Sequence, residues 1–362
     1  MKLEIELPAL KTLVNKLIGA VERKNTIPSL ANIALITDGD ILTGKATDLD
    51  IEVTATAPAT IAQQGSTTVS AAMLSAIVAK MPAGALVSLT LADHVLTVKA
   101  GKSRYELQTL PIEDFPRMAS SEYQHSFTMQ SHDLARLFNL SKGAMSPDEM
   151  RYYLNGVYFH PIEDGICAVA TDGHRLYKVT TPAQNVFPGV IVPRKTVAEL
   201  VKTLDIGDVV VSVSATKIKF DMGDVTIVSK VVDGTFPDYT RVIPTANNNH
   251  ITANAGDMKA AADRVATVAD DRARAVKIEV ADGVARLTTR GTGANLAEDE
   301  VSVTYSGKPL ALGFNSKYLA EVLSQCGGQD VTLECGNGIE SPVIIRPGDD
   351  KNAMYVVMGM RA

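Results

Sequence analysis

The sequence has no tryptophan, and aromatic residues fill only 5% of its 362 positions. A broad stacking platform for unpaired bases is thereby excluded as the basis of binding. The cores must be built from small aliphatics, and a 46% apolar share is enough to fill them. Cysteine is scarce as well: Cys167, Cys326 and Cys335 are odd in number and far apart. That pattern suggests neither a disulfide framework nor a zinc knuckle and fits a reducing cytoplasm. Long apolar runs are missing, so nothing reads as a bilayer span. The opening Met1 to Leu7 alternates charge with apolar residues, which predicts an edge strand and not a secretory signal. Basic excess is missing too, since the formal net charge is -6, unlike a protein that coats itself in nucleic acid.

What the chain does have is repetition. One pattern returns at intervals of about 120 residues, far longer than a solenoid unit, so each copy reads as a domain. Its anchor is a turn and a strand: Asp38-Gly39-Asp40-Ile41 leading to Ala46-Thr47-Asp48, Asp164-Gly165-Ile166-Cys167 leading to Ala170-Thr171-Asp172, and Asp282-Gly283-Val284-Ala285 leading to Thr288. Asp-Gly between alternating apolar residues is a hairpin signal. Ahead of each anchor a strand enters an amphipathic helix, marked by Leu10, Leu13, Val14, Leu17 and Val21, then by Leu134, Leu137 and Phe138, then by the Ala-rich stretch Met258 to Val268. A second helix follows at Ser70 to Met81, Pro193 to Leu204 and Ser316 to Cys326. The fold class is α+β with antiparallel sheets. Polar stretches near Glu122 to Gln124 and Ala246 to His250 divide modules 1–122, 125–245 and 250–362, and linkers this short predict a rigid arc.

Catalytic constellations are weak. Asp172-Gly173-His174-Arg175 places adjacent residues on opposite sides of a strand end, which predicts a structural turn and not an Asp-His pair. His160 and Glu163 lack a second ligand pair, and Gly291-Thr292-Gly293 lacks the third glycine and the parallel unit of a dinucleotide loop. Asp48 and Asp50 alternate along one strand face, and neither they nor the pairs Asp270-Asp271 and Asp349-Asp350 have a nucleophile beside them. No catalytic site, metal or cofactor is expected.

Four segments carry a specific resemblance: Arg151-Tyr152-Tyr153-Leu154-Asn155-Gly156, Ala170-Thr171-Asp172-Gly173-His174-Arg175-Leu176, Asp233-Gly234-Thr235-Phe236-Pro237-Asp238-Tyr239, and Tyr355-Val356-Val357-Met358-Gly359-Met360-Arg361. In order, spacing and triple repeat the chain resembles the bacterial sliding clamps, the beta subunits of DNA polymerase III. The resemblance implies three clamp modules with antiparallel sheets outside and helices lining a ring, closed as a head-to-tail homodimer around double-stranded DNA. Physical reasoning reaches part of this, because pairing end to end removes the two unpaired sheet edges of an open arc. Candidate edges are Gly101 to Leu107, with Lys102, Arg104, Tyr105 and Leu107, and Leu296 to Val301, with Glu298 and Glu300; Val268 joins the apolar part. Two ordinary solvated strand edges would carry the same residues.

The helices expected to line the hole carry Lys11, Lys16, Lys80, Arg136, Lys142, Lys195, Lys202, Lys259, Arg264 and Lys317, although a solvated helix face would account for any one of them. The resemblance adds Lys24, Arg151, Tyr152, Tyr153 and Arg194 as DNA-touching positions, with Asp148 standing where a neutral polar residue is usual. It also implies a peptide cleft walled by Leu154, Thr171, Gly173, His174, Arg175, Leu176, Pro237, Arg241, Val242, Asn315, Tyr318, Val356, Met358 and Met360, with Arg361 beside it. The implied partners are the replicative polymerase catalytic subunit, the clamp loader, repair polymerases, ligase and mismatch-repair proteins, each through a short linear peptide. Gly359 stands where the family usually has proline, and Ala362 where it has a larger aliphatic, which predicts a looser tail. A repeat-built structural or adhesion protein is the competing class; it predicts even surface charge and no cleft.

Overall fold

The computed structural model describes residues 1–22, 27–183, 186–269, 274–292 and 295–361. Lys24, Asp270, Asp271, Gly293 and Ala362 lie outside the described residues. The first repeat runs β1 (Lys2–Glu6), α1 (Leu7–Leu17), β2 (Asn32–Asp38), β3 (Ile41–Thr47), β4 (Ile51–Pro58), β5 (Thr60–Gln63), β6 (Ser66–Ser70), α2 (Ala71–Lys80), β7 (Leu86–Ala92), β8 (Val95–Ala100) and β9 (Ser103–Leu110). The second runs β10 (His125–Gln130), α3 (Ser131–Ser141), β11 (Gly156–Ile162), β12 (Gly165–Thr171), β13 (Arg175–Pro182), β14 (Val190–Pro193), α4 (Arg194–Thr203), β15 (Asp208–Val213), β16 (Lys217–Asp221) and β17 (Val225–Lys230). The third runs β18 (Asn249–Asn254), α5 (Ala255–Ala266), β19 (Ala275–Ala281), β20 (Val284–Arg290), β21 (Leu296–Thr304), β22 (Leu310–Asn315), α6 (Ser316–Gln325), β23 (Asp330–Cys335), β24 (Val343–Pro347) and β25 (Ala353–Val357). With β5 set aside, every copy is strand, helix, four strands, helix, three strands. No helix among the described residues is long and apolar enough to cross a membrane.

Local chemistry explains the elements. In α1 the residues Leu7, Leu10, Leu13, Val14 and Leu17 are buried, so the apolar stripe faces the sheet. Leu17 lies so close over Gly44 that a Cβ there would stand 2.4 Å from its methyl carbon, hence the glycine in mid-strand. Asn254 caps α5 by accepting from the amides of Gly256 and Asp257, and Asn315 caps α6 by accepting from those of Lys317 and Tyr318. Asp282 and Gly283 both take positive φ, at 52° and 79°, which matches the twist that a tight hairpin between β19 and β20 demands.

The described chain gathers into two compact units: Met1–Ala135 with Val186–Pro188 and Val192–Val232, and Arg136–Asn185 with Gly189–Ile191 and Asp233–Ala362. The second repeat contributes to both. The first sheet has the order β10-β15-β16-β17-β4-β3-β2-β6-β9-β8-β7-β1-β5, and the second β14-β11-β12-β13-β25-β24-β23-β18-β21-β20-β19-β22. Two equivalent seams join the repeats: β4 pairs antiparallel with β17, and β13 with β25. Ion pairs flank the first seam, where Lys195 meets Asp48 at 2.5 Å, Lys16 meets Asp224 at 2.6 Å and Lys230 meets Asp50 at 2.9 Å.

Two expectations are corrected. β1 is not an edge strand, because the short β5 covers the side that β7 leaves open, with a register shift at Lys2 and Leu3. Asp48 and Asp50 do not alternate on a strand; they sit in the turn between β3 and β4, where Asp48 Oδ1 accepts from the amides of Asp50 and Ile51.

Across the second seam Tyr177 and Tyr355 meet edge to face at 5.0 Å, both fully buried. The Tyr177 hydroxyl accepts from Arg175 at 3.3 Å, whereas that of Tyr355 has no protein partner. Tyr355→Phe therefore removes a buried polar atom that no protein hydrogen bond compensates, and it should leave urea stability unchanged or raise it by up to about 1 kcal/mol. Tyr177→Phe should lower it.

Candidate functional site

The second unit brings most of the expected cleft together around one turn. After β12, Thr171 Oγ1 donates to the carbonyl of Arg175 at 2.7 Å and accepts from the amide of Gly173 at 3.2 Å. Asp172 Oδ1 accepts from the amides of His174 and Arg175 at 2.9 and 3.0 Å, and Gly173 takes φ +88°. This is the structural turn expected of the motif, and the same Thr-Asp arrangement occurs at Thr47 and Asp48 in the first repeat.

The turn aims Arg175 with little freedom. Its Nε donates to Asp172 Oδ2 at 3.0 Å, its Nη1 pairs with Glu321 of α6, and its guanidinium lies 4.5 Å from the centre of the Tyr318 ring. Burial alone would lower the Arg175 pKa, but Tyr177, Glu321 and Asp172 together raise it, so the cation is permanent. His174 also stacks on Tyr318, with ring centres 6.0 Å apart. Thr171, Leu176 and Val356 are cross-strand neighbours on β12, β13 and β25. Leu154 is buried, whereas Val242 and Met358 leave 51% and 41% of their surface to solvent.

Pro237, Arg241 and Val242 lie on the segment after β17, which is anchored inward by Phe236 and Tyr239. Tyr158 stacks on Phe236 at 5.0 Å, and the Tyr239 hydroxyl meets His160 Nε2 at 3.2 Å. Arg241 pairs with Asp238 at 3.0 Å and remains exposed. Asp172 and Glu321, the groups that hold Arg175, were not among the expected site residues. Asp172 had a local signal, an Asx turn; Glu321 had none, since 146 residues separate it from Arg175.

The tail is pinned and not loose, which corrects the expectation from Gly359. Met358 donates its amide to the His174 carbonyl at 2.9 Å, Met360 to that of Gly313 at 3.0 Å, and Arg361 pairs with Glu340 at 2.6 Å. Gly359 runs against the backbone of residues 340 and 341, where a Cβ would stand 2.6 Å from the Glu340 carbonyl carbon. Asn315, another of the expected cleft residues, caps α6 just before Tyr318.

The expected DNA positions are more paired than their count suggests. Lys195 is tied to Asp48; Lys202 reaches Glu199 at 3.6 Å and the Asn15 carbonyl at 3.0 Å; Lys259 meets Asp263 at 2.6 Å and Lys317 meets Glu321 at 3.9 Å. Arg264 pairs with Asp299, and Lys142 donates to Asn139 at 2.7 Å. Arg136 turns to Asp350 and the Thr180 carbonyl, a structural task. Arg151 donates to Asp148 at 2.9 Å and to the Asp172 carbonyl at 3.0 Å. Tyr152 is exposed and meets Tyr153 edge to face at 5.7 Å, while Lys11, Lys80 and Arg194 are exposed on their helices.

The two candidate edges have a common form. Residues Ser103 to Gln108 of β9 pair with β8, and only Thr109 and Leu110 reach β6. Residues Leu296 to Ser302 of β21 pair with β20, and only Val303 and Thr304 reach β18. Among the described residues neither stretch has a strand on its other side. Arg104 pairs with Glu106 at 2.5 Å and Glu300 with Arg286 at 2.8 Å; Tyr105 is half-buried, Leu107 buried, and Lys102 and Glu298 exposed, with Val268 half-buried just past α5.

Comparison with known proteins gives one consistent set of relatives. Family models match over residues 1–119, 128–238 and 240–361, described as the N-terminal, central and C-terminal domains of the DNA polymerase III beta subunit. The chain is 41% identical over 372 residues to the beta sliding clamp of Caulobacter vibrioides and 34% identical over 368 residues to that of Escherichia coli, covering 100% of both chains in each case. Among solved structures it is similar to the sliding clamp of Bartonella birtlesii bound to griselimycin, with TM-score 0.95, 37% identity and full coverage of both chains. That of Pseudomonas aeruginosa bound to griselimycin has TM-score 0.96 and 33% identity, again with full coverage of both chains.

The pinned tail yields a test. Gly359→Ala forces a Cβ into the 340–341 backbone, so amide hydrogen exchange at Met358 and Met360 should accelerate by at least about tenfold, the equivalent of about 1.4 kcal/mol of local stability. Unchanged protection would mean that the close approach places no demand on the glycine.

Proposed function

The chain belongs to the DNA polymerase III beta subunit family, the bacterial beta sliding clamps, and we propose that two copies close head to tail into a ring that encircles duplex DNA and tethers the replicative polymerase to it. The family membership leaves the structural or adhesion reading without support. The observation that carries the proposal is the unfinished seam. Two copies of the strand joint are made inside the chain, β4 with β17 and β13 with β25. By repeat position the third would join β21 to β9, whose stretches Leu296 to Ser302 and Ser103 to Gln108 have no strand on their other side among the described residues. A second copy supplies both missing joints at once, and closure covers those two stretches.

Modules 1–122, 125–245 and 250–362 are the repeating units of this ring, with the helices toward the DNA. Lys24, Arg151, Tyr152, Tyr153 and Arg194 are the positions carried over for DNA contact, Lys80, Lys195 and Lys202 join them from the helices expected to line the hole, and the pairing of Lys195 and Lys202 with carboxylates makes their attraction diffuse. Weak phosphate contacts that are nearly equal at every base pair let the ring slide. The interface draws on Lys102, Arg104, Tyr105, Leu107, Val268, Glu298 and Glu300.

The cleft around Arg175 and Tyr318 receives short peptides from the polymerase catalytic subunit, the clamp loader, repair polymerases, ligase and mismatch-repair proteins, and binds griselimycin as the Bartonella and Pseudomonas relatives do. A partner held on a ring that cannot leave the duplex sees its template at high effective concentration, so modest peptide affinity is enough. The chain contributes tethering and no reaction of its own, in the cytoplasm on the nucleoid. Burial supports that inertness for the thiols, pushing Cys167 up to about 11 and Cys326 and Cys335 up to about 12.

Two measurements test these readings. Once loaded, the protein should stay on closed circular DNA through a high-salt wash and leave linear DNA with free ends; equal loss from both refutes encirclement. Glu298→Lys with Glu300→Lys should shift sedimentation from dimer to monomer, and an unchanged dimer removes the charge assignment at the β9–β21 seam.

A further inference from the structure

We propose that Asp148 is a positioning residue for the peptide cleft and acts through Arg151, a proposal that rests on the cleft reading above. Asp148 stands at the start of a short 3-10 turn, Glu149–Leu154, and its Oδ1 accepts from the Met150 amide at 3.0 Å. Its Oδ2 accepts from Arg151 Nε at 2.9 Å. This fixes the guanidinium so that Nη1 donates to the Asp172 carbonyl at 3.0 Å, behind the turn that sets the cleft. The bond from Arg151 is the main reason the Asp148 carboxyl is held below its ordinary range.

From Asp172 the chain of contacts is continuous. One side of the residue is gripped by Arg151 through the carbonyl; its carboxylate grips Arg175 and the amides of His174 and Arg175 on the other. Arg175 covers Tyr318, and His174 holds the tail through Met358. Gly173 lies against the same guanidinium, since a Cβ on it would stand 3.0 Å from Arg151 Nη1. Arg151 thus directs one bond to its aiming carboxylate and one to the turn of the cleft. A neutral residue at 148 would keep the turn but lose the charge that aims Arg151.

The test measures griselimycin affinity and DNA retention on the same full-length variants. Asp148→Asn should weaken griselimycin by about three- to tenfold. The same change removes a negative charge next to an arginine carried over as a DNA contact, so DNA retention at moderate salt should be unchanged or stronger. In an Arg151→Gln background, Asp148→Asn should have no further effect on griselimycin, because the aimed group is gone. Affinities for griselimycin and DNA that fall together with the melting temperature would mean a damaged turn and overturn the proposal. So would an Asp148→Asn variant that binds griselimycin as tightly as the parent. If the parent protein itself fails to bind griselimycin, the cleft reading falls first and takes this one with it.

Discussion

A strand edge carries a row of backbone donors and acceptors that must end on a partner strand or on water. In this chain the placement of those rows governs nearly everything else. Each repeat presents one such row early, on β4, β13 or β21, and one late, on β9, β17 or β25. Two rows meet two others within the chain, which is why the compact units cut across the second repeat and do not follow the sequence boundaries. The rows on β9 and β21 stay open over most of their length among the described residues, and they are the surface proposed for a second copy.

The residues proposed for the peptide cleft gather at one of those seams. Because β13 pairs with β25, Leu176 stands beside Val356, and the turn before β13 faces the tail after β25. Side chains then lock what the backbone brings near. Asp172 spends both carboxylate oxygens on its own turn and on Arg175, and Glu321 takes the far side of the same guanidinium. Fixed polar groups next to the exposed Met358 would suit the proposed site, orienting a ligand through a few contacts and adapting to the rest.

Charge is handled with similar economy. A chain with a net charge of -6 can still present cations to DNA if they cluster, but here several of those cations sit beside carboxylates. Lys195 and Lys16 staple the first seam, and Arg136 secures the neighbourhood of β13 and the segment before β25. What remains for phosphate is mild attraction, which suits a protein that must stay on DNA without staying at any one place.

The sequence by itself determined the repeat, the helices and the hairpins. These are local: the stripe of Leu10, Leu13, Val14 and Leu17 and the Asp-Gly turns act over a few residues, so spacing alone reveals them. Family resemblance added the roster of cleft residues, which no periodicity could have supplied. Only the tertiary structure decided that β1 is covered by β5, that Glu321 holds Arg175, that Lys195 is a staple and that Gly359 tightens the tail. Each of these depends on a partner far away in the chain. Long-range pairing is set by which surfaces the folded chain brings within a few ångströms, and nothing in the local pattern of residues encodes that distance.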